Sequence, residues 1–464
     1  MLTGSEPPSG GVWFVPLGGT GEIGMNLNLY GHAGRWMMVD CGITFEHTPG
    51  SSSGRPRIEM ADPQFIKDRR QRLDALLITH AHEDHLGGVP YLWPQLQCPV
   101  YATPFAAEVL RRKVAGGRGT LPQPLIEVTP GSTISVGDFE IDWLPLTHST
   151  AETCALLLRA GSSRILHTAD WKIDQRPVVG EPWAPKDWVR LVSGGIDAVI
   201  CDSTNATREG FSPNEGDVAD GLLQTIAPLT GKVVVSCFAS NIARLQTLFR
   251  VAESTGRRVA LMGRSVDNMY RCARRCDLLD PQYAPIDPAH VEYLPPQEIL
   301  VVATGSQGEV GATLQKLVMD SHRHLSLGEG DTVILSAKTI PGNEQSVARV
   351  VEGLRSRGVQ VLQDETSKRT LHASGHPCAG ELSALYEVVK PKLAIPVHGE
   401  ALHMDAHARV ARQSGAKSVL TGTNGDLFVL TPEPGVRRRW APTGRLCWDE
   451  ERELLTADAS SSAP

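Results

Sequence analysis

The sequence has few aromatic residues and no long hydrophobic run. Phe, Trp and Tyr together make up 5% of the 464 residues. No stretch of about 18 consecutive apolar residues occurs, and residues 1–11 are polar and contain proline. The nine cysteines are scattered without a paired framework, which is typical of free thiols in a reducing compartment. We therefore expect a cytoplasmic protein with neither a membrane span nor a signal peptide.

The sequence also lacks an excess of basic residues. Lys and Arg number 45 against 52 Asp and Glu, which gives a formal net charge of −7. Overall charge therefore does not drive binding to nucleic acid, and a polyanionic substrate needs a local positive field. Bound metal ions and short basic clusters such as Arg111-Arg112-Lys113 could supply that field. The length predicts two or three domains, and the 41% hydrophobic content is typical of globular proteins.

One stretch concentrates metal-binding side chains. His80, His82, Asp84 and His85 follow directly on the apolar run 73–78. That run predicts a strand, so the four side chains lie on the loop at its carboxyl end. Imidazole and carboxylate ligands suit zinc or manganese. The first two histidines could reach one ion, and Asp84 and His85 a second. Two neighbouring ions can clamp both oxygens of a phosphoryl displacement.

Further ligand-type residues follow predicted strands elsewhere in the chain. They are Asp40, His148, Asp170 and, more than 300 residues beyond His82, His398. A sheet-based fold can bring its strand ends to one edge, which is where open α/β folds bind ligands. We therefore expect these residues to join the stretch 80–85, with His398 as the seventh metal ligand after His80, His82, Asp84, His85, His148 and Asp170.

A glycine-rich segment near the start of the chain raises a different hypothesis. Residues 19–24 contain the pattern GxGxxG, and Asp40 lies about where a ribose-binding acid would stand in a dinucleotide-binding fold. The residues that follow, 26–30, alternate as in a strand, whereas that fold requires a helix there. The segment is therefore interpreted as a tight turn between two strands.

From residue 231 onward, apolar strands alternate with helical periodicity. The predicted strands are 233–237, 258–262, 299–303, 332–336 and 359–362, and the predicted helices are 241–254, 266–276, 310–319 and 344–357. This alternation predicts a parallel sheet with right-handed crossovers in a domain of its own. The domain is inserted rather than appended, because ligand-type residues resume at His372, His376 and His398.

The motifs together resemble a known family. His80-x-His82-x-Asp84-His85, with Asp40, His148 and Asp170, is similar to the metallo-β-lactamase superfamily. The inserted α/β segment and three motifs resemble its β-CASP nuclease branch, namely Asp202-Ser203-Thr204-Asn205, His372-x-Ser374-Gly375-His376 and Pro396-Val397-His398-Gly399-Glu400. Further strings across about residues 12–430 resemble the bacterial ribonuclease J family, including Phe238-Ala239-Ser240-Asn241 and Ile340-Pro341-Gly342-Asn343-Glu344.

The resemblance implies an α/β fold, a metallo-β-lactamase αββα sandwich with an inserted β-CASP parallel α/β domain. The sandwich would comprise residues 1–207 and 366–455, the insertion residues 208–365, and a disordered tail residues 456–464. A loop over 48–57, rich in Gly, Ser and Pro, is expected to be mobile near the site.

The resemblance also assigns roles to individual residues. His80, His82 and His148 would hold one divalent ion, Asp84, His85 and His398 a second, Asp170 would bridge them, and Asp40 would orient the cluster. Asp202 and His376 match the family's proton-transfer pair. The segments that match the family's grip on a substrate phosphate are Ala239, Ser240, Asn241, His372, Ala373, Ser374, Gly375 and His376.

The function implied is a two-metal ribonuclease that degrades or trims RNA. It would act as a 5′-to-3′ exonuclease on single-stranded 5′-monophosphate RNA and also cleave within strands, with Zn²⁺ or Mn²⁺ as cofactor. A homodimer and RNA-decay partner proteins would fit. Two departures from the family stand out. Ala243 replaces a usual His, and the chain stops about 65 residues beyond His398. The family commonly carries a further C-terminal domain linked to dimerisation, so the resemblance implies a weaker dimer than that of longer relatives, or one formed through other surfaces.

Three other functions are compatible with parts of the sequence. A DNA exonuclease or repair nuclease could use the same scaffold, because selection of the 2′-OH depends on groove shape. A non-catalytic nucleic-acid-binding protein would not need all seven ligands, and a lactonase or thioesterase would not need the insertion.

Three pairs of side chains are lesser candidates for a site. Cys272 and Cys276 could hold a metal but are better explained by packing. His322 and His324, like His403 and His407, are expected on solvated surfaces, although His403 and His407 could instead support the metal site.

Overall fold

A computed structural model describes residues 6–46, 57–117, 119–183, 194–340, 342–449 and 454–457, with the single residues 186 and 189. Most of the loop predicted over 48–57 and of the tail predicted over 456–464 lies outside the described residues. Arg57, however, begins a strand. Thr456 and Ala457 end another strand, because they pair with Cys447 and Leu446. The expectation of a disordered tail over 456–464 is therefore wrong for Thr456 and Ala457.

The strands and helices are as follows. In chain order the strands are β1 (Trp13–Gly18), β2 (Leu27–His32), β3 (Arg35–Val39), β4 (Ile43–Glu46), β5 (Arg57–Ala61), β6 (Leu73–Ile78), β7 (Val100–Ala102), β8 (Leu125–Glu127), β9 (Thr133–Val136), β10 (Phe139–Pro145), β11 (Cys154–Ala160), β12 (Ser163–His167), β13 (Ala198–Asp202), β14 (Val233–Ser236), β15 (Arg258–Met262), β16 (Ile299–Ala303), β17 (Thr332–Leu335), β18 (Gln360–Gln363), β19 (Leu393–Val397), β20 (Leu427–Val429), β21 (Gly435–Arg437), β22 (Arg445–Asp449) and β23 (Leu454–Ala457). The α-helices are Gln64–Lys67, Glu83–Leu86, Val89–Leu96, Pro104–Ala115, Glu215–Ile226, Ile242–Ser254, Arg264–Arg275, Thr313–Val318, Glu344–Ser356, Ala379–Val389 and Ala401–Gln413.

Two sheets stack face to face. The first has eight strands in the order β21-β20-β1-β2-β3-β6-β7-β8, and the second has six in the order β19-β13-β12-β11-β10-β9. Their facing side chains, among them Phe14, Tyr30, Trp143 and Leu156, form one buried hydrophobic cluster. Each large apolar side chain buried there contributes roughly 1.5–3 kcal/mol to folding. The space between the sheets is therefore the core of the sandwich.

Helices cover the outer face of each sheet. Successive residues of a strand point to opposite faces, so Trp13 and Val15 pack on the helix side of the first sheet while Phe14 faces the second. The helices Val89–Leu96 and Pro104–Ala115 cover the first sheet. The helices Ala379–Val389 and Ala401–Gln413 cover the second. The resulting order of layers is α, β, β, α, and the predicted fold class is confirmed.

The inserted segment forms a separate parallel sheet. Its strands lie in the order β15-β16-β14-β17-β18, and every pair is parallel. Side chains of β14 alternate between two helical layers, with Val233 and Val235 on one side and Val234 on the other. The strands begin within two residues of their predicted starts. The helix predicted over 310–319 is shorter, because Gly311 has a φ of +75° and the helix begins only at Thr313.

A four-stranded sheet in the order β23-β22-β5-β4 was not predicted from the sequence. It joins segments from opposite ends of the chain, since β5 pairs with β22. Ile43, Ile58 and Met60 place it in the same hydrophobic cluster as β1 and the helix Val89–Leu96. Within the described residues, no helix combines the length and apolar character that crossing a membrane would require.

A buried arginine of the insertion, Arg244, forms an ion pair within the insertion and a hydrogen bond to the sandwich. The guanidinium of Arg244 is fully buried, and its Nη2 lies 3.1 Å from Oε2 of Glu215. Its Nη1 donates to the carbonyl oxygens of Ser336 at 2.9 Å and Leu371 at 3.3 Å. Four segments therefore meet at one side chain, including the residues around 371 through which the chain returns to the sandwich.

Replacing Arg244 by Met is expected to lower the free energy of unfolding by about 3–5 kcal/mol, because Glu215 would remain buried without its partner. Urea unfolding measures this change. Arg250→Met, on the exposed side of the same helix, is the matched control and should have little effect. Combining Arg244→Met with Glu215→Gln should recover part of the loss. A single variant as stable as the wild type would show that the pair does not hold these segments together.

The same pair predicts a pH dependence. Burial alone would raise the pKa of Glu215, but Arg244 and then Lys172 lower it below its ordinary value of 4.5. A depressed carboxyl pKa gives stability that is present above pH 4.5 and is lost as the pH falls further. The stability difference between wild type and Arg244→Met should therefore shrink in urea titrations carried out below that pH.

Candidate metal centre

Strand ends position the residues of the site. Asp40 directly follows β3, His80 follows β6, Asp170 follows β12, and His398 follows β19. Asp40 and His398 have left-handed backbone, with φ of +64° and +50°. Such conformations are costly for non-glycine residues and persist where the surrounding structure enforces them. The neighbouring sheets therefore turn these side chains toward one point.

A first group of potential ligands consists of His80, His82, His148 and Asp170. Their ligand atoms all lie within 4.8 Å of one another. Nδ1 of His82 is 3.0 Å from Nε2 of His148. Oδ2 of Asp170 is 3.8 Å from Nε2 of His80 and 3.7 Å from Nε2 of His148. Three imidazoles and one carboxylate oxygen thus surround a space of the size that one metal ion needs.

A second group shares Asp170 with the first. It adds Asp84, His85 and His398, again with all ligand atoms within 4.8 Å. Nε2 of His85 is 3.2 Å from Oδ2 of Asp170, and Nδ1 of His398 is 3.1 Å from Oδ1 of the same carboxylate. Nε2 of His398 is 3.2 Å from Oδ2 of Asp84. The structure therefore brings all seven predicted ligands together, including His398.

Hydrogen bonds fix the orientation of several of these imidazoles. Nδ1 of His85 lies 2.7 Å from Oδ2 of Asp40. Asp40 also accepts hydrogen bonds from the backbone N–H and the hydroxyl of Thr79, whose Oγ1 lies 3.0 Å from Nδ1 of His80. Nδ1 of His148 bonds to the carbonyl oxygen of Gly375 at 2.6 Å. Each ring thereby turns its remaining nitrogen toward the cluster.

The donor set of the first group fits a divalent metal. Nε2 of His80 and Oδ2 of Asp170 are buried and have no hydrogen-bond partner among the described residues. Burial, together with neighbouring histidines, lowers the pKa of His80 and His148 well below the ordinary value. Burial lowers the pKa of His82 to about 4. The rings are therefore neutral near pH 7 and have lone pairs available for an ion.

In the second group, the charges of neighbouring side chains outweigh the effect of burial on the pKa values. Burial alone would lower the pKa of His85, but Asp170, Asp84 and Asp40 raise it overall. Burial would raise the pKa of Asp170, but His398 and His85 lower it well below its ordinary range. The carboxylates at the centre are therefore ionised, which is the state in which they bind a metal.

Asp202 and His376 form a pair beside the shared carboxylate. Nδ1 of His376 is 2.8 Å from Oδ2 of Asp202 and 3.7 Å from Oδ2 of Asp170. Burial opposes ionisation of both groups, yet Asp202 raises the pKa of His376, and His376 lowers the pKa of Asp202. The two predicted proton-transfer residues are thus in direct contact at the edge of the metal ligands.

Side chains of the loop after β13 contact Asp202, His398 and His407. Thr204 donates its hydroxyl to Oδ1 of Asp202 at 2.7 Å and lies 3.2 Å from Nδ1 of His398. Ser203 bonds to Nδ1 of His407 at 2.9 Å. Neither Ser203 nor Thr204 was predicted to be a site residue, although both lie in the motif Asp202-Ser203-Thr204-Asn205.

The two histidines of the helix Ala401–Gln413 differ in environment. His407 is fully buried, and its Nε2 lies 2.7 Å from the hydroxyl of Tyr386. The expectation of a solvated face is therefore wrong for His407, because two hydrogen bonds hold its ring inside the sandwich. His403 is half-buried near the helix start.

The other lesser candidates lie in the insertion. Cys272 is buried in the core. The ring centroids of His322 and His324 are 6.2 Å apart.

The predicted phosphate-binding segments differ in the groups that they offer. Ser374 is half-buried, and next to it Gly375 is so close to His148 that an added Cβ would lie 2.6 Å from its Nδ1. Asn241 is less available than expected: its N–H donates to Phe238, and its side chain bonds to Arg244 and Glu215. The half-buried Ser240 forms no side-chain hydrogen bond with any described residue.

Ala239 and His372 complete these segments. Ala239 is half-buried and packs against the hydrophobic core. Burial and the nearby Arg244 lower the pKa of His372 to about 3, so its ring is neutral. Its Nδ1 is buried without a hydrogen-bond partner among the described residues. Ala373, between His372 and Ser374, is buried.

A cleft of about 1460 Å³ runs from the metal-ligand loop into the insertion. Glu83, next to His82, lines one part of it and forms an ion pair with Lys113. The basic side chains that line it are Arg112, Lys113, Arg264, Arg271, Lys316 and Arg323, and the acidic ones are Glu83, Asp267, Asp287 and Glu309. Six basic and four acidic side chains thus line a cleft that reaches Glu83, the residue between the ligands His82 and Asp84.

Comparison with protein-family models identifies three matches along the chain. Residues 35–209 match a model described as a β-lactamase superfamily domain. Residues 230–354 match the β-CASP domain of ribonuclease J. Residues 366–421 match a Zn-dependent metallo-hydrolase RNA specificity domain. The three matches follow one another in the order expected for an insertion into the lactamase fold.

Known proteins of similar sequence include several named Ribonuclease J. The chain is 40% identical to the one from Sinorhizobium meliloti over 440 residues, which cover 94% of this chain and 77% of that protein. It is 36% identical to the one from Mycolicibacterium smegmatis, covering 90% and 74% of the two chains. For the one from Thermus thermophilus the identity is 34%, with 95% and 78% covered.

A solved structure resembles the fold. It is the crystal structure of a protein of unknown function from Enterococcus faecalis V583, with a TM-score of 0.61 and 15% identity. The match covers 90% of this chain and 100% of that one. At this level of identity the likeness concerns the fold alone, which agrees with the layers described above.

Proposed function

Because the chain belongs to the ribonuclease J family of metal-dependent hydrolases, we propose that it hydrolyses phosphodiester bonds of single-stranded RNA. In this proposal it removes nucleotides from a 5′-monophosphate end and also cleaves within strands. The observation that carries the proposal is the pair of ligand groups sharing Asp170, with His376 and Asp202 in contact beside them. The match of residues 366–421 to an RNA specificity domain favours RNA over DNA.

Each ligand group has a proposed role in holding one divalent ion, Zn²⁺ or Mn²⁺. His80, His82 and His148 would hold the first, Asp84, His85 and His398 the second, and Asp170 would belong to both. Bound metal ions supply Lewis-acid stabilisation of the charge that develops in phosphoryl transfer. Asp40 keeps two of the histidines in their orientation through its bonds to His85 and Thr79.

His376 and Asp202 are the proposed proton-transfer pair. Asp202 accepts the Nδ1 proton of His376 and favours the charged form of the ring. A charged imidazole beside the metal ligands can donate a proton to the oxygen that leaves phosphorus. Thr204 keeps Asp202 from rotating, because both its N–H and its hydroxyl bond to Oδ1 of that carboxylate.

The proposed substrate path joins two regions. The basic cleft would hold the strand through its backbone phosphates, which carry no sequence information. Ser240 and the segment around Ser374 would bind the terminal phosphate beyond the metal ligands. A 5′-monophosphate held there would place the next phosphodiester at the cluster, and orientation of this kind contributes part of the rate.

Ser374→Ala is expected to lower the exonucleolytic rate on 5′-monophosphate RNA about ten- to a hundredfold, since one hydrogen bond to a charged group is lost. Cleavage within a strand should be less affected. The two rates are measured on one 5′-labelled RNA and on its circular form, which has no end. Equal losses in both rates would contradict a terminal-phosphate pocket.

Digestion of end-labelled oligonucleotides tests the proposed function as a whole. RNA and DNA of equal sequence, with 5′-phosphate, 5′-triphosphate or 5′-hydroxyl ends, are incubated with protein reconstituted with Zn²⁺ or Mn²⁺. Release of mononucleotides from 5′-phosphate RNA, faster than from the other ends, is expected. Faster digestion of DNA would overturn the choice of substrate, and preference for a triphosphate would overturn the proposed end.

A further inference from the structure

Asn205 connects the loop after β13 to the segment that contains Ser374. Its side-chain Nδ2 donates to Oγ of Ser374 at 2.7 Å and to the carbonyl oxygen of His376 at 3.3 Å. Both amide hydrogens are therefore used, and the side chain is buried, at 7% exposure. Asn205 belongs to the same four-residue loop segment as Asp202 and Thr204, whose side chains contact His376 and His398.

The hydrogen bonds at Ser374 determine the direction of its hydroxyl proton. A serine hydroxyl has two acceptor positions and one hydrogen to donate. Oγ of Ser374 accepts from Nδ2 of Asn205 at 2.7 Å and from the backbone N–H of His376 at 3.3 Å. Both acceptor positions are therefore occupied by protein donors, and the hydrogen remains for another group. Ser374 can consequently donate to a ligand but not accept from one.

We propose that Asn205 is a positioning residue that makes Ser374 an obligate hydrogen-bond donor and thereby selects a phosphate over a hydroxyl at the 5′ end of the substrate. This inference rests on the proposed function, since it concerns the same terminal-phosphate pocket. A phosphate oxygen only accepts at neutral pH, so it matches a fixed donor. A terminal hydroxyl can accept from the same fixed donor, but it can no longer donate to Ser374, and its neutral oxygen makes a weaker hydrogen bond than a charged phosphate oxygen.

A purely structural role for Asn205 is the alternative. Its backbone carbonyl accepts from the N–H of Arg208, and its backbone forms an isolated bridge with Cys378. Those contacts involve no side-chain atom and remain in any substituted chain. The carbonyl of His376 also keeps the hydroxyl of Ser212 as a partner, at 2.9 Å. Changes to the Asn205 side chain therefore act chiefly on Ser374.

The test compares Asn205→Ala, Asn205→Asp and Ser374→Ala with the wild type, all loaded with the same metal. The measured quantity is the ratio of the initial rates on 5′-phosphate and 5′-hydroxyl forms of one RNA. Asn205→Asp places an acceptor against the hydroxyl, so Ser374 donates to it instead of to the substrate. This ratio should fall about ten- to a hundredfold in Asn205→Asp, as in Ser374→Ala, and by less in Asn205→Ala.

A double variant separates orientation from charge. If Asn205→Asp acts through Ser374, it should cause no further fall in the ratio when combined with Ser374→Ala. If the new carboxylate merely repels the phosphate, the fall persists in the double variant and diminishes with added salt. Persistence, or an unchanged ratio in both Asn205 variants with thermal stability near that of the wild type, overturns the inference.

The wild type distinguishes failure of this inference from failure of the proposed function. A wild-type ratio near one would overturn the proposed use of a 5′-phosphate, and the inference with it. A wild-type preference for phosphate that survives both Asn205 substitutions would overturn the inference alone. Loss of preference in both Asn205 variants, with the predicted order of effects, supports it.

Discussion

Replacing His82 by alanine is expected to reduce hydrolysis by at least about a thousandfold while the fold remains intact. The ring contributes Nδ1 to the first ligand group, 3.0 Å from Nε2 of His148. Loss of one ligand weakens the Lewis-acid stabilisation of the transition state, and a loss of about 4 kcal/mol corresponds to a thousandfold in rate. Unlike His80, His82 is only partly buried and lies outside the hydrophobic clusters, so no large cavity should follow.

Measurements of metal content and thermal stability determine whether hydrolysis is lost because a metal ligand is missing. Elemental analysis should find close to two ions per wild-type chain and fewer in His82→Ala, with thermal unfolding near that of the wild type. His290→Ala, which removes an exposed imidazole from the insertion, is the matched control and should change neither quantity. Full activity in His82→Ala, or wild-type activity after exhaustive chelation, would refute a metal centre at this position.

Local sequence patterns were sufficient to predict the strand ends at the site and the parallel sheet of the insertion, whereas the layers of the sandwich were implied by the resemblance to a family. β16 is a continuous apolar run, and β6 and β15 are apolar except for Asp74 and Arg258, because both faces of their sheets are buried. A ligand-type residue after such a run stands at a sheet edge wherever the sheet lies. This is why His80 and His398, so far apart in sequence, could be assigned to one edge before any contact between them was known.

Elements whose stability comes from distant pairing could not be predicted in this way. β5 and β22 are short, and they pair with each other across most of the chain, which joins the hairpin β4–β5 to the hairpin β22–β23. The segment 57–60 does alternate polar and apolar residues, but it directly follows a loop rich in Gly, Ser and Pro, and β22 shows no such alternation. The sequence strings that resemble the family extend over most of the chain, but none of them includes β22.

The buried charges and hydrogen bonds around the site were also not predicted from the sequence. Arg244 and Lys172 are fully buried, whereas charged residues in a sequence are ordinarily assigned to the surface. Arg244 is held by Glu215 of a different segment, and Lys172, besides its sequence neighbour Asp174, donates to the carbonyl oxygen of Pro213 at 2.9 Å. His407 was assigned to a solvated face because its partners, Ser203 and Tyr386, are not its neighbours in the sequence. Only the tertiary structure reveals such pairings.

Asp202→Asn is expected to lower the maximal rate about a hundred- to ten-thousandfold, which is the usual contribution of general acid–base catalysis. Three donors converge on the two oxygens of Asp202: the N–H and hydroxyl of Thr204 on Oδ1, and Nδ1 of His376 on Oδ2. An asparagine of the same shape has only one oxygen. Whichever way its amide is turned, an NH₂ group faces a donor, so either Thr204 or His376 loses its bond.

The fall in the maximal rate should be separable from a loss of metal ions. Asp202 is not among the seven predicted ligands, so the metal content of Asp202→Asn should stay near two ions per chain. Asp405→Asn, on the exposed side of the helix Ala401–Gln413, removes a similar charge from the surface and is the control. The rate is measured at saturating 5′-phosphate RNA across a range of pH. Because Asp202 favours the charged form of His376, its loss should also move the alkaline limb of the profile to lower pH. A variant with wild-type rate and profile would show that proton transfer does not depend on this pair.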